Sequence, residues 1–264
     1  MADTTLLKQL RDATKAPFKD CKEALEQAGG DMDRAMEILK EKGAHTASKK
    51  AGRETNEGIV YVSKISGKTV GVKLGCETDF VAKSDEFYSL ASDLVNLFAE
   101  NGEEYSSIEN VDSSFLEEQV NTKITEYVGK IGENIKLLDV FVDNEDCFVY
   151  THPGNKVVAV VYADGDEDVS KEIALQIAAM SPDYKSIEDV PSEEVDKLKN
   201  KFREDLKDSG KPEDVVEKII EGKLSKHFQD IVLLEQPYIR DDSKKIKDII
   251  PENYEFNGYR RYSI

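Results

Sequence analysis

The stretch Cys76-Glu77-Thr78-Asp79-Phe80-Val81-Ala82-Lys83 marks a change of secondary structure in the chain. Apolar residues alternate on both sides of a Ser-Gly pair within residues 58–75, which predicts two β-strands joined by a hairpin turn. From residue 80 to residue 98 the apolar residues recur at helical spacing and predict an α-helix. Thr78 and Asp79 both favour the N-cap position, so we expect the helix to begin there.

Two interpretations of this stretch remain open from the residues alone. In the structural one, Asp79 caps the helix and Phe80, in the first helical turn, covers its start. In the functional one, Phe80 is an exposed aromatic side chain that stands beside a carboxylate and contacts another molecule.

A second segment repeats the order of predicted elements. Residues 147–180 follow the sequence strand, turn, strand, acidic loop and helix, as residues 59–98 do, which predicts two related α+β subdomains. The second copy has Asp166-Glu167-Asp168 where the first has Thr78-Asp79-Phe80. Only the first copy therefore carries the candidate exposed aromatic.

The flanking segments complete an α+β fold with antiparallel sheets. Short apolar stripes within residues 4–43 predict three helices, and the small, polar and basic residues that follow predict a tether. Two narrow apolar seams separated by Ser209-Gly210-Lys211-Pro212 predict an antiparallel helical hairpin. The predicted organisation is a three-helix domain (1–43), a linker (44–56), a first core subdomain (57–140), a second core subdomain (141–190 and 229–264) and an inserted coiled-coil hairpin (191–228).

Charge is distributed unevenly along the 264 residues, whose net charge is −18. Residues 1–53 hold 11 basic and 9 acidic side chains, whereas the rest of the chain holds 25 basic and 45 acidic ones. Phosphate backbones repel so acidic a surface, so we expect no direct binding of DNA or RNA. A protein partner with its own charge pattern suits this distribution better.

The cysteines and the beginning of the chain indicate the compartment. The three cysteines are far apart and lack CxxC spacing, which argues for a reducing environment and against a disulfide framework or a zinc site. The first residues show no unbroken apolar run, so we expect neither a signal peptide nor a membrane span. A cytoplasmic protein without a metal or cofactor is predicted.

No catalytic constellation is recognisable, and we predict that the chain is not an enzyme. The histidines His45, His152 and His227 occupy unlike settings without a metal-binding or nucleophile motif. The run Ser66-Gly67-Lys68-Thr69 lacks the earlier glycine of a phosphate-binding loop, because Val62 stands at that position.

Several short runs resemble motifs of the elongation factor Ts family, the nucleotide exchange factors of elongation factor Tu. They occur in the family's order, and they are Asp20–Leu25, Thr78–Lys83 after a strand that ends in a cysteine, Lys130–Ile135, Tyr150-x-His152-x-Gly154, Ser209–Pro212 and Gln236–Tyr238. The resemblance implies a ubiquitin-associated-like three-helix domain at the start of the chain and a coiled-coil module near its end. It also implies binding to elongation factor Tu, both with GDP and without nucleotide, and the release of GDP.

The resemblance assigns partner-binding roles to particular residues. It implies that one group disturbs the Mg²⁺ site of elongation factor Tu: Thr78, Asp79, Phe80 and Val81. It implies that a second group contacts the partner's nucleotide domain: Leu10, Arg11, Phe18 and Lys19. We expect Ile131, Gly132 and His152 to form a further docking patch on the other subdomain.

Two other functions remain as alternatives. The three-helix start is also typical of a ubiquitin-binding adaptor, which leaves the acidic α+β body unexplained, and a pull-down with ubiquitin against elongation factor Tu separates the two. An unrecognised small-molecule enzyme would need a convergent polar pocket, which the sequence does not reveal.

Overall fold

A computed structural model describes residues 4–207 and 209–264. The α-helices are α1 (Thr4–Thr14), α2 (Phe18–Gln27), α3 (Met32–Lys50), α4 (Asp79–Ala82), α5 (Asp85–Asn101), α6 (Ser113–Phe115), α7 (Asn121–Ile131), α8 (Glu167–Met180), α9 (Ser192–Leu206), α10 (Glu213–Ile231) and α11 (Ile246–Ile249). The strands are β1 (Glu57–Ile65), β2 (Lys68–Cys76), β3 (Ile135–Asp143), β4 (Phe148–Thr151), β5 (Val157–Asp164), β6 (Pro237–Tyr238), β7 (Asp241–Lys245) and β8 (Glu255–Ser263). A π-helical segment, Leu116–Val120, joins α6 to α7, and short 3₁₀ turns lie at Ile108–Asn110, Ile187–Asp189 and Leu233–Glu235. The predicted α+β class is confirmed.

By contact density the chain forms two compact units. The first comprises the described residues up to Asp146 together with Pro153–Val157 and Tyr262–Ile264, and the second comprises Cys147–His152 and the described part of Val158–Arg261. Within residues 4–207 and 209–264, none of the helices combines the length and the apolar character needed to span a bilayer.

The first unit contains an antiparallel sheet in the order β1-β2-β3. Strands β1 and β2 pair from Glu57 opposite Cys76 to Ile65 opposite Lys68. The intervening Ser66 and Gly67 both have positive φ, 52° and 83°, as a two-residue hairpin turn of type I′ requires. The predicted hairpin is confirmed.

The apolar face of this sheet is covered by α5 and α7. The spacing of the apolar residues in α5 places Phe87, Leu90, Leu94 and Phe98 on one face, and all four are fully buried in the core of the first unit. Strand β2 ends against this core at Cys76, which is also fully buried. The segment that follows β2 therefore begins from a fixed point.

Helices α1, α2 and α3 enclose a small core of their own within the first unit, formed by Leu7, Leu10, Ala16, Cys21, Ala24, Leu25 and Ala35. Gly29 and Gly30, both with positive φ, end α2, and the Asp31 carboxylate accepts a hydrogen bond from the Arg34 amide at the start of α3. The helices thus begin and end where turn and cap residues permit.

Helix α3 continues to Lys50, so the prediction of a tether over residues 44–56 is wrong for residues 44–50. The cause is packing against α7. A Cβ atom built on Gly129 would lie 2.9 Å from the Cα of Gly43, so the two helices cross where neither carries a side chain. This close crossing gives the small residues of α3 a surface to pack on, and composition alone could not show that surface.

The second unit contains a sheet in the order β4-β5-β8, with α8 packed beside it. Its core centres on Ala159, Val161, Ile173, Ile177, Leu233, Ile246 and Tyr254. The Asp166 carboxylate accepts a hydrogen bond from the Asp168 amide and caps α8. The predicted order of strand, turn, strand, acidic loop and helix is therefore present in this unit.

Helices α9 and α10 pack on each other through a separate apolar cluster. Val216, Ile220 and Leu224 of α10 are buried, and Val195, Leu198, Phe202, Leu206 and Phe228 pack against them. The charged backs of both helices face solvent, because the apolar seam is narrow.

Candidate functional site

The stretch that follows β2 forms a single isolated helical turn. Thr78 has extended backbone angles, φ −128° and ψ 155°, and its Oγ1 accepts a hydrogen bond of 3.4 Å from the Val81 amide. Helix α4 ends after Ala82, and the Ser84 hydroxyl oxygen caps α5 by accepting from the Phe87 amide. Of the two candidate caps, Thr78 is the one that caps α4, so the interpretation in which Asp79 is the cap is wrong, and two helices replace the single predicted one.

Phe80 stands on this turn with its side chain 82% exposed. The neighbouring Val81 packs against the core and Ala82 is buried in it, so the inward face of α4 is already occupied. Phe80 is consequently directed away from the core, so the structural interpretation, in which its ring covers the start of the helix, is wrong. It is the most exposed of the large apolar side chains in the described part of the chain.

A carboxylate accompanies the exposed ring. The Asp79 carboxylate accepts a hydrogen bond of 2.7 Å from the Lys83 ammonium group one helical turn later. This hydrogen bond, with the charge of Lys83, holds the pKa of Asp79 below its usual value. The turn therefore presents an apolar ring next to an ionised carboxylate at neutral pH.

Hydrogen bonds from a distant segment hold this turn in place. One Glu133 oxygen accepts from the Thr78 amide at 3.0 Å, and the other accepts from the Thr78 hydroxyl at 2.7 Å. In the opposite direction, the Asn134 amide donates to Glu77 at 2.7 Å, and the Arg53 guanidinium pairs with the same carboxylate at 3.0 Å. The amide of Asn134, together with Arg53, holds the pKa of Glu77 below its usual value.

The thiol at the end of β2 belongs to the framework of the site. Cys76 donates through its Sγ to the Thr78 carbonyl oxygen at 3.2 Å, and burial raises the pKa of the thiol to about 12. A thiol that stays protonated at neutral pH is a poor nucleophile, so Cys76 acts here as a small apolar side chain with one hydrogen bond.

The residues predicted on the first two helices differ in accessibility. Leu10 is fully buried in the three-helix core, which contradicts the expectation that it touches a partner, because its side chain has no exposed surface. Its apolar spacing in α1 signalled this core position. Arg11 is exposed, and Phe18 and Lys19 are exposed at the start of α2, where the Phe18 side chain is 57% accessible. These three remain available for contact.

The predicted second patch divides between the two units. Ile131 and Gly132 end α7 in the first unit, directly before the Glu133 that binds Thr78, so their expected place on the other subdomain is wrong. His152 lies in the second unit, exposed after β4, with its Nδ1 3.0 Å from the Tyr150 hydroxyl oxygen. The predicted domain bounds, 57–140 and 141–190, already place Ile131 and Gly132 apart from His152. What periodicity does not indicate is which residues the segment 132–134 between α7 and β3 contacts.

Sequence reasoning also missed the contacts of Glu133 and Asn134. Both lie in a run that was recognised as a motif, Lys130–Ile135, but neither helical nor strand periodicity indicates what a turn residue contacts. The signal available was that two of the motifs, Thr78–Lys83 and Lys130–Ile135, each stand at the end of an element, and that these elements, β2 and α7, pack in one core.

Comparison with known proteins places the chain among the translation elongation factors. The family model described as Elongation factor TS matches residues 77–264, which include both the exposed turn and the segment that holds it. Elongation factor Ts of Aquifex aeolicus (strain VF5) is 40% identical over 98% of this chain and 96% of its own length. The chain belongs to the elongation factor Ts family.

Relatives from other organisms agree over almost the whole length. Elongation factor Ts of Hydrogenobaculum sp. (strain Y04AAS1) is 40% identical, covering 98% of this chain and 97% of its own. The protein of the same name from Thiobacillus denitrificans (strain ATCC 25259 / T1) is 35% identical, covering 100% of this chain and 93% of its own. The similarity therefore extends to the three helices that precede the segment matched by the family model.

Proposed function

We propose that this chain is a guanine-nucleotide exchange factor that binds elongation factor Tu with GDP and promotes GDP release during translation elongation. Two observations support the proposal: the chain's membership of the elongation factor Ts family, and a Phe80 ring that is 82% exposed on an ordered turn. Phe80 carries the proposal, because an apolar ring that costs free energy in water is typical of a docking residue.

The turn acts as a wedge. Elongation factor Tu holds GDP through phosphate-cradling backbone groups and a Mg²⁺ bridge. Phe80 inserts beside the Mg²⁺ site and displaces a helix of the partner, while the Asp79 carboxylate adds a charge next to the inserted ring. The Mg²⁺ bridge is weakened and GDP leaves. Thr78 and Val81 keep the turn in shape, the first through its cap and the second through the core.

The coupling between GDP and this chain is reciprocal. If the bound chain lowers the affinity of elongation factor Tu for GDP by some factor, bound GDP must lower the affinity of elongation factor Tu for the chain by the same factor. The chain consequently binds the nucleotide-free partner most tightly and dissociates once nucleotide returns.

Further surfaces contribute to binding. Arg11, Phe18 and Lys19, on a ubiquitin-associated-like domain of α1, α2 and α3, contact the nucleotide domain of the partner. Ile131, Gly132 and His152 contact a part of the partner away from the nucleotide, and the α9–α10 pair is a coiled-coil accessory arm. The separate apolar clusters of α1–α3 and of the α9–α10 pair support the assignment of these two segments as modules of their own. The chain acts in the cytoplasm and does not bind nucleic acid directly.

The test is the release of fluorescent GDP from purified elongation factor Tu in the presence and absence of this chain. We expect release to accelerate at least tenfold and to saturate with the concentration of the chain. A parallel pull-down with ubiquitin tests the adaptor alternative. Unaltered GDP release would reject the exchange function, and ubiquitin capture alongside it would favour the adaptor.

A further inference from the structure

We propose that Glu133 is a positioning residue that holds the Thr78–Val81 turn in the conformation that engages elongation factor Tu. This inference rests on the proposed exchange function and adds to it a residue that does not itself touch the nucleotide site. The two oxygens of the Glu133 carboxylate both accept hydrogen bonds from one residue, Thr78.

The geometry of this contact determines how the cap works. The Thr78 hydroxyl has one hydrogen, and that hydrogen is directed to Glu133 Oε1 at 2.7 Å. The hydroxyl oxygen is then left with its lone pairs for the Val81 amide, which donates to it. Glu133 thereby orients the hydroxyl that caps α4. Its other oxygen accepts a hydrogen bond of 3.0 Å from the Thr78 backbone amide and so holds the backbone of Thr78 in place.

The segment that carries Glu133 is itself held in place. Gly132 ends α7 with φ 82°, a left-handed conformation that favours glycine and turns the chain towards Thr78. Asn134, which follows Glu133, is buried. Its backbone amide donates to the Glu77 carboxylate, and its side-chain amide donates to the Arg53 carbonyl oxygen at 2.7 Å. Two adjacent pairs of residues are therefore linked crosswise, Glu77 to Asn134 and Thr78 to Glu133.

The turn needs this support because it is short. Helix α4 has four residues, too few for a helix to persist by its own hydrogen bonds in water. Phe80 projects from it without packing on the core. Without Glu133, a smaller fraction of molecules holds the turn in the competent conformation, and the apparent dissociation constant rises by the inverse of that fraction.

This mechanism predicts a separation of two kinetic quantities. Once the partner is saturated, binding reorders the turn and Phe80 still displaces the helix, so the saturating rate of GDP release is retained. Loss of Glu133 should therefore raise the concentration of chain needed for half-maximal stimulation. Loss of Phe80 should instead lower the saturating rate.

The experiment titrates each variant into elongation factor Tu loaded with fluorescent GDP. For Glu133→Ala we expect the half-maximal concentration to rise about tenfold and the saturating rate to stay within about twofold. Glu133→Gln keeps the shape and one acceptor oxygen, so its rise should be about threefold. The control is Glu145→Ala, which removes the same charge from an exposed turn of the first unit and should match the wild-type chain.

Hydrogen exchange provides a readout that does not depend on activity. The Thr78 and Val81 amides should exchange faster in Glu133→Ala, while the amides of α5 keep their wild-type protection. If Glu133→Ala melts early, the comparison uses Glu133→Gln, which preserves the volume of the side chain.

The outcomes separate the two claims. A wild-type chain that does not accelerate GDP release overturns the exchange function and this inference with it. A wild-type chain that accelerates release, with Phe80→Ala impaired and both Glu133 variants equal to wild type, overturns only the role of Glu133. A lower saturating rate for Glu133→Ala at an unchanged half-maximal concentration also overturns the positioning role.

Discussion

Replacement of Phe80 by alanine separates a wedge from a structural side chain. The side chain is 82% exposed, so its removal takes little apolar contact from the folded chain, and we expect a loss of less than about 1 kcal/mol of stability. A matched control is Phe87→Ala in α5, where a fully buried ring is removed and about 3–5 kcal/mol should be lost.

The effect of Phe80→Ala on exchange follows from the surface that the ring offers. A phenylalanine buries on the order of 200 Å² when it is enclosed. At ~25 cal/mol per Å² the exposed part of the ring corresponds to at most about 4 kcal/mol of coupling. Ordering and desolvation reduce that figure, so we expect a loss of roughly 1.5–3 kcal/mol, which slows catalysed GDP release by about 10- to 100-fold.

The assay combines fluorescent GDP release at limiting and saturating chain with thermal denaturation of each variant. Phe80→Ala should melt close to the wild-type temperature and promote GDP release about 10- to 100-fold more slowly than the wild-type chain at saturation. Asp79→Ala should act in the same direction with a smaller effect, since the ring remains. A Phe80→Ala protein that melts early and exchanges normally would refute the wedge and return the ring to a structural role.

Three further predictions concern other parts of the chain. His152→Ala should weaken binding of elongation factor Tu by roughly 1–2 kcal/mol through faster dissociation. The control Tyr150→Phe, which keeps the aromatic ring, should bind normally. An unchanged affinity for His152→Ala in calorimetric titration would show that the histidine is only a turn residue. Deletion of residues 192–228 with the ends joined should leave the rest folded and lower exchange only modestly, because the α9–α10 cluster is separate from the other cores; loss of the folded circular dichroism spectrum would contradict this. Burial alone would raise the pKa of Glu235, but hydrogen bonds from Lys245 and Lys247 outweigh burial and lower the pKa. The ionised Glu235 therefore stabilises the fold at neutral pH, and this contribution is lost as the pH falls through the lowered pKa. Glu235→Gln should therefore lower the melting temperature at pH 7 and reduce its fall below about pH 5, and parallel melting curves for wild type and variant would refute the argument.

The order of helices and strands could be predicted from the sequence, because local patterns carry it. The alternation before Cys76 and the helical spacing after Asp85 correspond to β1, β2 and α5 as the structure has them. The helical pattern in residues 192–206 and 213–231 likewise corresponds to α9 and α10. In each case the periodicity records which face of a regular element is removed from water.

Periodicity indicated the accessibility of Leu10 but could not indicate that of Phe80. Phe80 and Leu10 are both apolar residues in predicted helices, yet one is 82% exposed and the other is fully buried. The difference arises because α1 packs on two other helices, whereas the inward face of α4 is already occupied by Val81 and Ala82. Periodicity predicts which side chains of a helix are buried only when the helix is long enough to show a repeating apolar face, and α4 has four residues.

The sequence by itself determined the α+β class, the elements and the family to which the chain belongs, since these depend on residue order and on short motifs. The tertiary structure decided that α3 continues into the predicted linker and that Thr78, rather than Asp79, caps α4. It also decided that Glu133 reaches Thr78 across 55 positions of the chain. Contacts of this kind join residues far apart in the sequence, and only the packing of β2 and α7 around one core brings them within hydrogen-bonding distance.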